Sequence, residues 1–179
     1  MRSLVVYESS YGNTRQVAEA IADGCRRAGP ATTVRAADFD PNTLAELDLL
    51  VLGGPTHAWS MSRPKTRQAA ITKPGRGTPP AEAGLGESGI RELLGRLPRP
   101  GCPVAVYDTR IGGPALITGR ASVAIARRLR RMGIRPIGGP RSFLVSRASR
   151  LRDGELERAR IWGIELTEQR ARLAGSRPD

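Results

Sequence analysis

Residues 3–14, Ser3-Leu4-Val5-Val6-Tyr7-Glu8-Ser9-Ser10-Tyr11-Gly12-Asn13-Thr14, decide how the rest of the chain reads. The first five form a short apolar run. A cluster of hydroxyls and small residues follows it, and then Val17, Ala18, Ile21, Ala22 and Cys25 recur at the spacing of one helix face. The order is strand, tight turn, helix. Such a turn aims the unpaired N–H groups of the helix's first turn at whatever lies above it, and they favour an anion. Ser9, Ser10, Tyr11 and Thr14 add hydroxyl donors, and Gly12 lets backbone approach closely. The turn reads as a grip for a phosphate. The plainer alternative is a strand-to-helix turn capped by Asn13 or Thr14. The stretch has neither the G-x-x-x-x-G-K-[ST] of triphosphatases nor the G-x-G-x-x-G of dinucleotide folds. It also lacks a cysteine nucleophile, and Glu8 is its only acid.

Working outward, apolar runs and helical patterns alternate along all 179 residues, which predicts one doubly wound α/β domain over 1–179. Its five parallel strands are expected in the order 2-1-3-4-5 within three layers. Strands are expected near 3–8, 32–37, 47–53 and 102–107, with a fifth near 134–145 broken at Gly138-Gly139-Pro140. Helices are expected near 14–28, 41–46, 63–71, 90–97, 121–132 and 155–173, and the Gly- and Pro-rich stretch 73–89 reads as a long irregular loop. No apolar stretch reaches the roughly 20 residues a membrane span needs. With no cleavable leader and with Cys25 and Cys102 far apart, the expectation is a reduced, cytoplasmic protein.

Open α/β sheets bind ligands beyond the carboxyl ends of their strands, where strand order reverses. In this order that point lies between strands one and three. Residues 54–62 follow strand three and hold Pro55, Thr56, His57, Ala58 and Trp59. Trp59 suits stacking on a flat ring, or alternatively plugs the sheet end. His57 is the only histidine. It reads as a loop residue or ring-edge donor before a general acid, and no second ligand is spaced to make it a metal site.

These two stretches together resemble the flavodoxin family. Residues 9–14, S-S-Y-G-N-T, are similar to its FMN-phosphate loop [ST]-x-T-G-x-T, departing at Tyr11. Residues 53–67, G-G-P-T-H-A-W-S-M-S-R-P-K-T-R, are similar to its isoalloxazine loop. The resemblance implies non-covalent FMN and a flavoprotein that transfers electrons. Ser9, Ser10, Tyr11, Gly12, Asn13 and Thr14 would hold the phosphate, with Arg15 adding charge. Pro55, Thr56, His57, Ala58 and Trp59 would meet the ring or ribityl chain. Asp108, Thr109, Arg110 and Gly112, in a third loop at 108–113, would lie on the pyrimidine side. That loop has no aromatic, which implies one-sided packing of the ring. Ser60 stands near the place of a glycine in many flavodoxins, which implies weak support for the one-electron-reduced flavin.

Charge adds a partner class. The formal net charge is +12, only Lys65 and Lys73 among the basic residues are lysines, and no acid lies between Arg127 and Arg152. Such a field favours an acidic redox partner or an anionic substrate, unless the arginines merely coat the solvated faces of the last two helices. Family flavodoxins are acidic, so the resemblance also implies a less negative reduction potential here. Nucleic acid is disfavoured by the scarcity of aromatics and the lack of a recognition motif. Two other functions stand beside the carrier. One is an NAD(P)H- or quinone-dependent oxidoreductase of the same fold, with 73–89 over a substrate and Arg63 or Arg110 binding it. The other is a flavin-free, flavodoxin-shaped binding module with a basic partner face.

Overall fold

Every residue of Ser3–Tyr7 (β1) is buried, and its side chains divide between two cores. Leu4 and Val6 pack on one face of the sheet with Leu50, Leu52, Val104, Val106 and helical Ile125 and Leu129. Val5 and Tyr7 pack on the other with Leu49, Val51, Tyr107, Ile21 and Trp162. Burial on both faces is why these strands read as unbroken apolar runs. The structure, a computed structural model, describes residues 1–73 and 77–175.

After β1 come α1 (Asn13–Cys25), β2 (Ala31–Arg35), a 3-10 turn (Pro41–Glu46), β3 (Leu49–His57) and β4 (Ser60–Met61). They are followed by α2 (Pro64–Thr72), α3 (Ile90–Arg96), β5 (Val104–Ile111), α4 (Ala115–Thr118), α5 (Ala121–Arg131), β6 (Ile137–Val145) and α6 (Glu155–Gly175). The parallel sheet runs β2-β1-β3-β5-β6, with β4 antiparallel on β3. This is the expected order with one short hairpin strand added. One core lies under α3 and α5, the other under α1 and α6. Cys25 and Cys102 are unpaired, and no helix among the described residues is long and apolar enough to cross a membrane.

Three expectations are corrected. First, β3 continues through Gly54, Pro55 and Thr56 to His57, and β5 continues through Asp108 to Ile111, so much of both expected loops is strand. Gly54 and Pro55 sit opposite Asp108 and Thr109, and Thr56 and His57 pair with β4. Polar and Gly/Pro residues hold strand geometry there because neighbours supply the pairing. Second, β6 is unbroken. Gly138 and Gly139 both take φ of 67°, and the register slips from Ala105 opposite Ile137 to Tyr107 opposite Arg141. The chain bulges at the glycines instead of breaking. Third, α4 has no counterpart in the sequence reading. Of the stretch 73–89, residues 77–89 contain neither helix nor strand, and 74–76 lie outside the described residues.

Helices α1 and α6 cross at Gly24 and Gly163. A β-carbon on Gly163 would lie 2.2 Å from the Ile21 carbonyl oxygen, and one on Gly24 would lie 2.0 Å from that of Arg160. Gly163→Ala is therefore expected to lower unfolding free energy by about 1–3 kcal/mol in urea titration, the range for overpacking. Gly95→Ala, on the exposed side of α3 with no atom near its added carbon, is expected to be neutral or slightly stabilising.

Candidate functional site

Gly12 precedes α1 at φ 83°, a left-handed conformation that residues with a β-carbon resist, and no side chain caps the helix. Asn13 and Thr14 are engaged elsewhere. The Asn13 amide donates to the Ser149 carbonyl (2.7 Å), and its oxygen accepts from the Leu151 N–H (3.1 Å). The Thr14 hydroxyl meets that of Thr109 at 2.7 Å. The first-turn N–H groups of α1 thus keep the anion preference of an uncapped N-terminus. Ser9 Oγ accepts from the Gly12 N–H at 3.1 Å, which sets the turn and leaves the Ser9 hydroxyl hydrogen free to donate. One bond between Thr14 and Thr109 likewise uses one of two hydroxyl hydrogens.

A cleft of about 190 Å³ opens above this turn. It brings together Ser10, Tyr11, Asn13 and Thr14 from the turn, Pro55, Thr56 and His57 from β3, and Thr109 and Arg110 from β5. Ile111, Val145 and Ser149 complete it; Ile111 and Val145 fall in the expected third loop and fifth strand, and no motif marks Ser149 in sequence. Ser9 and Gly12 lie in the turn behind the lining. Tyr11 donates its hydroxyl to the Ala70 carbonyl (3.2 Å), tying the turn to α2.

Ala58, Trp59, Asp108 and Gly112 are not on the cleft lining. Asp108 is fully buried and accepts the Ser122 N–H at 2.7 Å, capping α5, and burial raises its pKa above the usual carboxylate value. Arg110 donates to the Gly113 carbonyl (3.0 Å) and Thr118 Oγ1 (2.7 Å), which fastens α4 to the end of β5. Arg15 is occupied by Glu19 (2.9 Å) and Glu82 (2.6 Å).

Ala58 and Trp59 form the hairpin tip between β3 and β4, both left-handed at φ 43° and 67°. Two-residue hairpin turns want positive φ at both positions, but non-glycine residues there store strain. Ser60 belongs to β4, so the positive φ falls before it. Trp59 is 66% exposed and donates its indole N–H to the Ile117 carbonyl, so the hairpin meets α4. The side chains exposed on α4 are the aliphatic Leu116 and Ile117.

A buried ionic cluster, not anticipated from the sequence, supports the hairpin. Arg67 is the only buried residue of α2; it donates to Ser62 Oγ at 2.9 Å and pairs with Glu92 at 3.2 Å. Glu8 accepts the Ile90 N–H at 2.9 Å, and burial pushes its carboxyl above the usual range. A larger cavity of about 320 Å³ lies beside Tyr7, Arg35 and residues 82–88. Its Arg15 and Arg35 face Glu82 and Glu87, so their charge is already answered.

Residues 4–67 match the family model described as Flavodoxin domain. No curated protein matches the chain. Among solved structures, a flavodoxin from the domain Archaea superposes with a TM-score of 0.65 at 21% identity, covering 96% of this chain and 99% of that one. Oxidised Flavodoxin 1 from Bacillus cereus gives 0.63 at 15% identity, covering 94% and 98%. The chain has a flavodoxin-like fold. The flavodiiron protein from Giardia intestinalis, with a TM-score of 0.59 at 18% identity, carries the same fold in 36% of its length, against 96% of this chain.

Across the cleft of this flavodoxin-like fold His57 Nε2 lies 3.1 Å from Ser10 Oγ. Desolvation, then the nearby Arg67 charge, lowers its pKa below 6.5. The unfolded chain therefore takes the proton first. The stability contribution is whole above about pH 6.5 and is lost as pH falls below that value. Because the chain has one histidine, a single imidazole resonance is expected to titrate with a midpoint below 6.5 in NMR. A midpoint at or above 6.5 contradicts this reading. Arg67→Met leaves Glu92 without its cation and Ser62 without its donor, and is expected to cost about 1–3 kcal/mol in chemical denaturation.

Proposed function

We propose that this chain is a flavoprotein that holds FMN at the cleft and serves in electron transfer. The observation that supports it is the convergence of an uncapped α1 N-terminus, a hydroxyl-lined turn and a Trp-bearing hairpin at the strand-order switch point. The first-turn N–H groups of α1 and the hydroxyls of Ser9, Ser10 and Thr14 would hold the phosphate. Thr109 positions Thr14, and Asn13 ties residues 149–151 against the turn. Neutral His57 leaves Ser10 a hydroxyl hydrogen to donate when Nε2 carries the ring proton. Pro55 and Trp59 would flank the ring, and Leu116 and Ile117 offer it an aliphatic edge. A flat ring held between the hairpin tip and α4 would displace the Trp59–Ile117 hydrogen bond. Bound there, the flavin supplies the redox chemistry, while the protein supplies grip, orientation and shielding.

Fluorescence titration tests this. FMN is expected to bind one per chain and riboflavin about tenfold or more weaker, because only FMN reaches the charge-assisted donors of the turn. Gly12→Val, which strains the φ of 83°, is expected to weaken FMN by a similar factor and riboflavin little. Folded protein that binds neither flavin returns the chain to the flavin-free module.

A further inference from the structure

The positive charge is sorted by layer. Helix α6 carries four glutamates (Glu155, Glu157, Glu165, Glu168) and four arginines (Arg158, Arg160, Arg170, Arg172), which sum to zero. Glu155 pairs with Arg158, Glu157 with Arg160, and Arg170 with Asp48. Helix α5 carries Arg127, Arg128, Arg130 and Arg131 with no acid, and among the described residues none of the four is in an ion pair. A uniform arginine coat does not describe this molecule, because α6 neutralises itself and α5 does not.

The α5 arginines open onto a groove of about 390 Å³, where Arg127, Arg128 and Arg131 face Arg91 of α3 and the groove's edge is Ser60 and Met61. Arg91 is preset. Its Nε and Nη2 donate to the Ser62 and Met61 carbonyls, each at 2.8 Å, and these neutral acceptors leave its charge uncompensated. Arg127 and Arg131 are four residues apart on one helix face, a like-charge arrangement that destabilises a helix. The last-turn position of Arg131 offsets part of that through the helix dipole. Four guanidinium groups around one concavity, without a carboxylate, match the bidentate geometry of Asp and Glu side chains.

We propose that this groove docks an acidic segment of a partner protein. Its concave shape suits an inserted chain segment better than a flat lipid surface. It is continuous through Ser60 with the hairpin whose tip is Trp59, beside exposed Leu116 and Ile117. An apolar centre with an arginine rim is the anatomy of a protein interface. The groove shares no lining residue with the cleft, and its charges are in place whether or not FMN is held; the hairpin tip and α4 are the elements that the two proposals share.

The test uses the full chain with poly-L-glutamate as probe. The groove variant R127Q/R128Q/R131Q is compared with R27Q/R135Q/R147Q, exposed arginines whose loss changes net charge equally. The control is expected to bind within about threefold of the unaltered chain and the groove variant about tenfold or more weaker. Equal weakening in both variants overturns the proposal, since only the overall field is then at work. It is also overturned if poly-glutamate does not bind. Groove-dependent binding to vesicles of about 30% phosphatidylserine, or to a single-stranded oligonucleotide, in place of poly-glutamate overturns it in favour of those partners. FMN titration of the same proteins reads the cleft independently, and circular dichroism melts confirm that each variant is folded.

Discussion

The cleft depends on β1 and β3 lying side by side in parallel, with Tyr7 opposite Gly53. That pairing sets the turn after β1 beside the residues that end β3. It also forces the chain to leave β1 toward β2 on one side and β3 toward β5 on the other, which opens a crevice at the carboxyl ends. Removing the β1–β3 register would separate Ser10 from His57, two residues distant in sequence whose side chains meet at 3.1 Å. The aromatic packing of Tyr107, Phe143 and Trp162, with ring centroids 6.1–6.4 Å apart, holds the neighbouring strands in place from the α6 side. Tyr107 also reaches the Thr14 carbonyl at 3.3 Å, linking that core to the first turn of α1.

The central strands and the amphipathic helices were legible in the sequence because burial on a face imposes a period on side-chain type. Val5 and Val6 belong to opposite cores, and α5 buries Ile125 and Leu129 while exposing its arginines. The ends of β3 and β5 were not legible. Gly54, Pro55 and Asp108 are in strand because of what they pair with, and pairing partners leave no local pattern. Helix α2 was placed correctly from Pro64 onward, yet its attachment was hidden: Arg67 is the residue it buries, and a buried arginine looks like a surface one until Ser62 and Glu92 are seen around it. Asp108 shows the same limit in reverse. The family resemblance implied a ligand contact for it, whereas the structure turns it inward to cap α5.

Charge was legible as an excess but not as a distribution. The sequence alone could not distinguish self-neutralised arginines from unanswered ones, because the deciding fact is which carboxylates lie within reach. For Arg158 and Arg160 on α6 they are three residues away along the same helix, for Arg170 the carboxylate is Asp48, and among the described residues the α5 arginines have none. The two proposed sites thus rest on different features, an uncapped helix N-terminus at the switch point and an arginine groove beside the hairpin.

A crystal structure of the chain with FMN tests the central reading most directly. The account predicts the phosphate against the first-turn N–H groups of α1 and the hydroxyls of Ser9, Ser10 and Thr14, with the ring beside Trp59 and the Trp59–Ile117 hydrogen bond broken. A phosphate seated among Arg91, Arg127, Arg128 and Arg131, with the α1 N-terminus untouched, would contradict it.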